Sequence, residues 1–169
     1  MKNFLAFTLF LFAASFTTVK AQNIKLPAEC KKILNDEFRS YRPAQVSQEF
    51  QNNHQAGKHS YEPNLVKGDW NGDGKIDYAV LMERKQILNE NAPKSLTVAF
   101  LRSSKGYRHY ILEGGDYIDL MKKGEKDYSY DWQRNFRYKN DAIFVGIGEC
   151  CGSSFVWRNG KFISTVTSD

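Results

Sequence analysis

Asp69-Trp70-Asn71-Gly72-Asp73-Gly74-Lys75-Ile76-Asp77-Tyr78-Ala79-Val80-Leu81-Met82 runs an acidic, glycine-bearing turn straight into a β-type segment. The flank from Ile76 to Met82 has the residue types and length of a strand. Residues 64–68 form a second short β-type run just before the turn, so the turn joins two strands. Working outward, further runs of this kind occupy 95–102, 107–112, 135–138, 142–146, 154–157 and 161–167. Turn residues separate them: Asn91-Ala92-Pro93, Lys105-Gly106, Gly114-Gly115, Lys139-Asn140-Asp141 and Asn159-Gly160. Short strands with such punctuation predict an antiparallel meander. Asn159-Gly160 is a strong two-residue hairpin signal.

Upstream, Cys30, Ile33, Leu34, Phe38 and Tyr41 recur at helical spacing after Pro27, which suits a first helical turn. The spacing predicts one amphipathic helix over 28–41, ending before Pro43. Residues 42–63 are polar and read as a long connection. The expected fold class is α+β: an N-terminal helix packed on one curved antiparallel meander that carries the acidic turn between two strands.

In the turn, oxygen donors fall at every second position. Asp69, Asn71 and Asp73 offer side-chain oxygens, Lys75 its backbone carbonyl, and Asp77 a further carboxylate. Gly74 permits the sharp bend that returns the chain to the ion. Three carboxylates within nine residues repel one another until a divalent cation links them. Oxygen-only ligands favour Ca2+ over zinc or copper, and Mg2+ demands tighter octahedral geometry. The metal ligands expected from the pattern are Asp69, Asn71, Asp73, Lys75 and Asp77. An Asn/Asp/Gly turn without an ion is the plainer alternative.

An EF-hand needs a Glu at position 12 and helices on both sides. Position 12 here is Val80, and the flanks are β-type. The segment Lys67–Leu81, with Gly68 before the loop and Tyr78-Ala79-Val80-Leu81 after it, resembles the calcium loops of FG-GAP and VCBS repeats, found in integrin-α-like propellers. That resemblance implies Ca2+ held by the same five residues. It does not imply a propeller, which needs at least four blades. The chain also resembles small exported bacterial proteins with a single loop of this type, from which no reaction carries over.

Residues 1–21 read as a secretory signal peptide: Lys2, an uncharged apolar run from Phe4 to Phe16, and Val19-Lys20-Ala21 before Gln22. The apolar run is shorter than the ~20 residues of a membrane span. Removing the segment from the 169-residue chain leaves 148, enough for one globular domain over 22–169. Lys2 and Lys20 leave with it, so the net charge falls from +5 to +3. The remaining charges are interspersed, with no basic tract of the kind that follows a phosphate backbone, so no nucleic acid partner is expected. Export, to the periplasm or outside the cell, permits disulfides. Of Cys30, Cys150 and Cys151, a bridge from Cys30 to one tail cysteine and three unbridged thiols are both open.

The remaining motifs carry less chemistry. His54, His59 and His109 match no metal spacing. Cys150-Cys151-Gly152-Ser153-Ser154-Phe155-Val156-Trp157 faintly echoes a protease nucleophile segment but lacks a following His. Gly146-Ile147-Gly148 opens no helix. Glu113, Asp116 and Asp119 form a second acidic patch, a catalytic pair only if they share a cleft. Trp70, Trp132 and Trp157 suit either a core or a carbohydrate or peptide groove. The expected function is an exported module with structural calcium that binds a protein or glycan without catalysis. A small periplasmic hydrolase using the acidic residues is the alternative.

Overall fold

The computed structural model describes residues 25–45, 64–86, 93–148 and 151–168. The expected signal segment, His54, His59 and Cys150 lie outside the described residues. One helix, α1 (Ala28–Glu37), precedes eleven strands: β1 (Tyr41–Pro43), β2 (Leu65–Gly68), β3 (Asp77–Arg84), β4 (Ser95–Ser103), β5 (Gly106–Glu113), β6 (Tyr117–Met121), β7 (Lys126–Ser129), β8 (Arg134–Arg137), β9 (Ala142–Ile147), β10 (Cys151–Arg158) and β11 (Lys161–Ser168).

This arrangement overturns the α+β expectation. The described chain is mostly β, with a single ten-residue helix. Its strands form two antiparallel sheets and a separate hairpin rather than one meander. The first sheet has the order β1-β3-β4-β5, with β2 also paired to β3. The second runs β11-β10-β9-β6, and β7 pairs with β8. The predicted helix stops four residues early because Tyr41–Pro43 pairs with β3, Tyr41 opposite Arg84. That edge also takes Leu65–Gly68, with Gly68 opposite Asp77. Buried Asn64 ties the two edge segments together: its Nδ2 donates to the Ala44 carbonyl, while its own carbonyl accepts from the Leu81 N–H.

The reason for two layers is written in β3 and β4. Both are apolar at consecutive positions, and successive side chains point to opposite faces. Val80, Met82, Leu96, Val98 and Phe100 share one cluster with Cys30, Leu34 and Phe38. Ala79, Leu81, Ala99 and Leu101 face the other way, into a cluster with Ile118, Ile143, Val145 and Phe155 of the second sheet. The central strands β3 and β4 are thus buried on both faces. Glu29 fastens α1 to the start of β5 by accepting the Tyr107 N–H at 3.0 Å.

Asn159 and Gly160 carry φ values of 52° and 79°, as a tight hairpin between Arg158 and Lys161 requires. A seam of hydroxyls joins the β7–β8 hairpin region to the second sheet. Buried Ser129 meets Thr165, and the Tyr138 hydroxyl donates to Asp127 while touching Ser154 at 2.7 Å. Burial and the Asp127 carboxylate push the Tyr138 phenol well above its ordinary range. Among the described residues no helix is long and apolar enough to cross a membrane.

Candidate functional site

The acidic turn connects β2 to β3, and its backbone is folded around Asp69. Asp69 Oδ1 accepts the N–H groups of Gly72 (2.8 Å) and Asp73 (3.0 Å), and Oδ2 accepts that of Gly74 (2.9 Å). Asn71 Oδ1 accepts the Asp73 N–H, and Asp73 Oδ1 accepts that of Lys75, both at 3.0 Å. The Lys75 ammonium lies 3.1 Å from Asp73 Oδ2. The Lys75 backbone N–H foremost, with its ammonium and the Asn71 side chain, holds the Asp73 carboxyl below its usual range. Gly74 has φ 79° with open space around it, so the site needs its conformation and not its small size.

Asp77 differs from the other ligand candidates. It is fully buried at the base of the turn, on the β3 face directed at the second sheet. Its Oδ1 accepts the Arg102 N–H at 2.7 Å and its Oδ2 the Trp70 N–H at 3.1 Å. Burial pushes its carboxyl up to about 6; the two N–H donors oppose that, and the Asp73 and Asp69 charges add to it.

Among the described residues, no three His, Cys, Asp or Glu side chains meet as a metal cluster. The turn carboxylates direct oxygens to backbone N–H groups instead. An ionised carboxylate offers about four acceptor sites, so Asp69, Asp73 and Asp77 all keep acceptor capacity. With the Asn71 amide oxygen and the Lys75 carbonyl, the donor set is entirely oxygen. That chemistry fits a hard cation.

Two residues that the sequence reading passed over as turn punctuation brace the site. Asp141 Oδ2 accepts the Asp69 N–H at 2.9 Å, and its Oδ1 accepts the Lys123 N–H. Asn140 Nδ2 donates to the Trp70 carbonyl at 3.2 Å. A Cβ on Gly72 would come within 2.7 Å of Asn140 Oδ1, so glycine is needed there for space as well as for its φ of 77°. The Asn140-Asp141 signal is ordinary for a turn, and nothing local announces a partner some seventy residues away.

The other candidates disperse. Trp70 is wholly buried in the core between the sheets, so it lines no groove. His109 lies on the α1 side of the first sheet, 3.3 Å from Glu37 and edge-on to Phe38. Asp119 belongs to β6 in the other sheet. Asp116 accepts the Gly148 N–H. Cys30 is an unbridged, fully buried thiol in the α1 cluster, so of the two open readings the bridge to the tail is not formed. Burial, with the Glu29 charge, pushes that thiol up to about 12.

Trp132 and Trp157 do line a surface cleft, of about 420 Å³, between the β7–β8 hairpin and the β9 and β10 ends of the second sheet. No family model, curated protein or solved structure matches the chain.

Proposed function

We propose that this protein is an exported calcium-binding β module whose ion is structural and whose surface binds a protein or glycan without catalysis. The observation that carries the reading is the turn itself. Asp69, Asn71, Asp73 and Asp77 lie within nine residues at alternate positions, and the backbone between them is wrapped around Asp69. Asp69, Asn71, Asp73, the Lys75 carbonyl and Asp77 would hold the ion. Ca2+ would supply charge neutralisation and a cross-link between β2 and β3. The likeness to FG-GAP and VCBS loops belongs to the same proposal, and export rests on the character of residues 1–21.

Calorimetry on the mature chain tests it. Wild type takes up one Ca2+, and Asp73→Ala, which removes an exposed central ligand, abolishes binding. Equal affinity in the two proteins would overturn the assignment. An ion that binds only the folded state at 100 times its dissociation constant adds about 2.7 kcal/mol. Identical melting midpoints with saturating calcium and with chelator would refute the structural role.

A further inference from the structure

We infer that the cleft beside the β7–β8 hairpin binds an acidic saccharide, its sugar ring against the aromatic wall and its carboxylate or sulfate on the basic rim. The inference rests on the partner-binding half of the function proposed above and is independent of the calcium. Trp132, Phe136 and Trp157 supply the wall, and Arg134, Lys139 and Arg158 the rim. The volume, about 420 Å³, falls within the ~300–1,000 Å³ typical of small-molecule sites.

Two features make this a prepared surface. The rings are held edge-to-face: Trp132 to Phe136 at 5.4 Å, Phe136 to Tyr138 at 4.9 Å, and Trp157 between Tyr110 (5.2 Å) and Phe162 (5.1 Å). Rings locked in this way lose little freedom when a rigid ligand settles on them. The cations are also uncommitted. Among the described residues, Arg134, Lys139 and Arg158 have no carboxylate within ion-pair distance, and Arg134 stacks over Trp132 at 5.7 Å. Asp141, the carboxylate in the lining, is occupied by the N–H groups of Asp69 and Lys123.

Guanidinium groups beside flat apolar faces complement a ligand that is both cyclic and anionic. A neutral sugar leaves the charges unused, and an acidic peptide leaves the ring wall without a flat partner.

The test uses the mature protein in calcium buffer, with binding followed by calorimetry and by Trp fluorescence. The probes are an oligouronate, a sulfated disaccharide, neutral maltotriose and a tetraglutamate peptide. Expected is binding of the uronate or the sulfated sugar, with the tighter of the two naming the acid group. It should weaken at least tenfold in the Arg134→Gln/Arg158→Gln variant, whose melting point stays near wild type because both side chains are exposed. Failure of both acidic sugars, equal binding of maltotriose or of the peptide, or unchanged affinity in the folded double variant would overturn the inference. Calcium uptake is measured on the same samples. A protein that binds the sugar but no calcium refutes the ion assignment alone; one that binds calcium but no sugar refutes the cleft alone.

Discussion

Asp77→Ala, measured in chelator, separates the two roles that the acidic turn combines. In the folded chain the Asp77 carboxylate serves two backbone donors, the buried Trp70 N–H at 3.1 Å and the part-buried Arg102 N–H at 2.7 Å. Alanine removes the acceptor of both and leaves the Trp70 N–H orphaned in a site closed to solvent. An orphaned buried group costs about 1–3 kcal/mol. In a chain of this size each kcal/mol moves the midpoint by about 2–4 °C, so a fall of at least ~2 °C is expected. Asp77→Asn retains one acceptor and sets an amide N–H against the other donor, so it should fall between wild type and alanine. Asp73→Ala should melt close to wild type in chelator, as exposed substitutions do, and drop behind only when calcium is added.

A pH series adds a sign. The Asp77 carboxyl titrates near 6 in the folded chain against an ordinary value of 3.8. The folded state therefore holds a proton that the unfolded state releases. This contribution to stability is fully present below pH 3.8 and is lost as pH rises through 6. Without calcium, wild type should gain on Asp77→Asn as pH falls through that window. Thermal melts followed by near-UV circular dichroism read all of these effects. An Asp77→Ala midpoint within 2 °C of wild type in chelator would refute the reasoning, because the two N–H groups would then have found other partners.

Outcomes at three further residues follow from the packing. Cys30 should resist alkylation in the native protein and react on unfolding, as mass spectrometry will show; rapid native labelling would contradict its burial. Because its thiol is raised from 9.0 to about 12, its contribution to stability is complete below pH 9 and is lost as pH rises toward 12, a loss that Cys30→Ala should lack. Tyr138→Phe deprives Asp127 and Ser154 of a partner at the hairpin seam and should cost about 1–3 kcal/mol in urea denaturation. Gly68→Ala would put a Cβ 2.3 Å from the Trp70 ring, forcing the indole to shift; a destabilisation of about 1–3 kcal/mol is expected, with a changed Trp70 emission.

Most strands beyond the turn were legible because each of those has its own local signature. The runs at 76–83, 95–102, 142–146 and 161–167 lie within a residue or two of β3, β4, β9 and β11. The Asn159-Gly160 dipeptide fixes its hairpin without help from the rest of the chain. β6 and β7 were missed because Tyr117–Met121 and Lys126–Ser129 carry Asp, Lys and Ser, and only pairing with β9 and β8 makes them strands. The layer count was missed for a different reason, and there a signal was present. A strand on a one-sided sheet alternates apolar and polar residues, whereas Ala79-Val80-Leu81-Met82 and Leu96-Thr97-Val98-Ala99-Phe100-Leu101 do not alternate. Such runs require cover on both faces, and one short helix covers only one of them. The second sheet supplies the other cover. The same argument explains Asp77: it stands on the face that this second layer closes, so the last acidic residue of the turn is buried while Asp73 remains in solvent. Sequence spacing treats the two as equivalent ligands, but the layer above β3 gives Asp77 a structural task that Asp73 does not share.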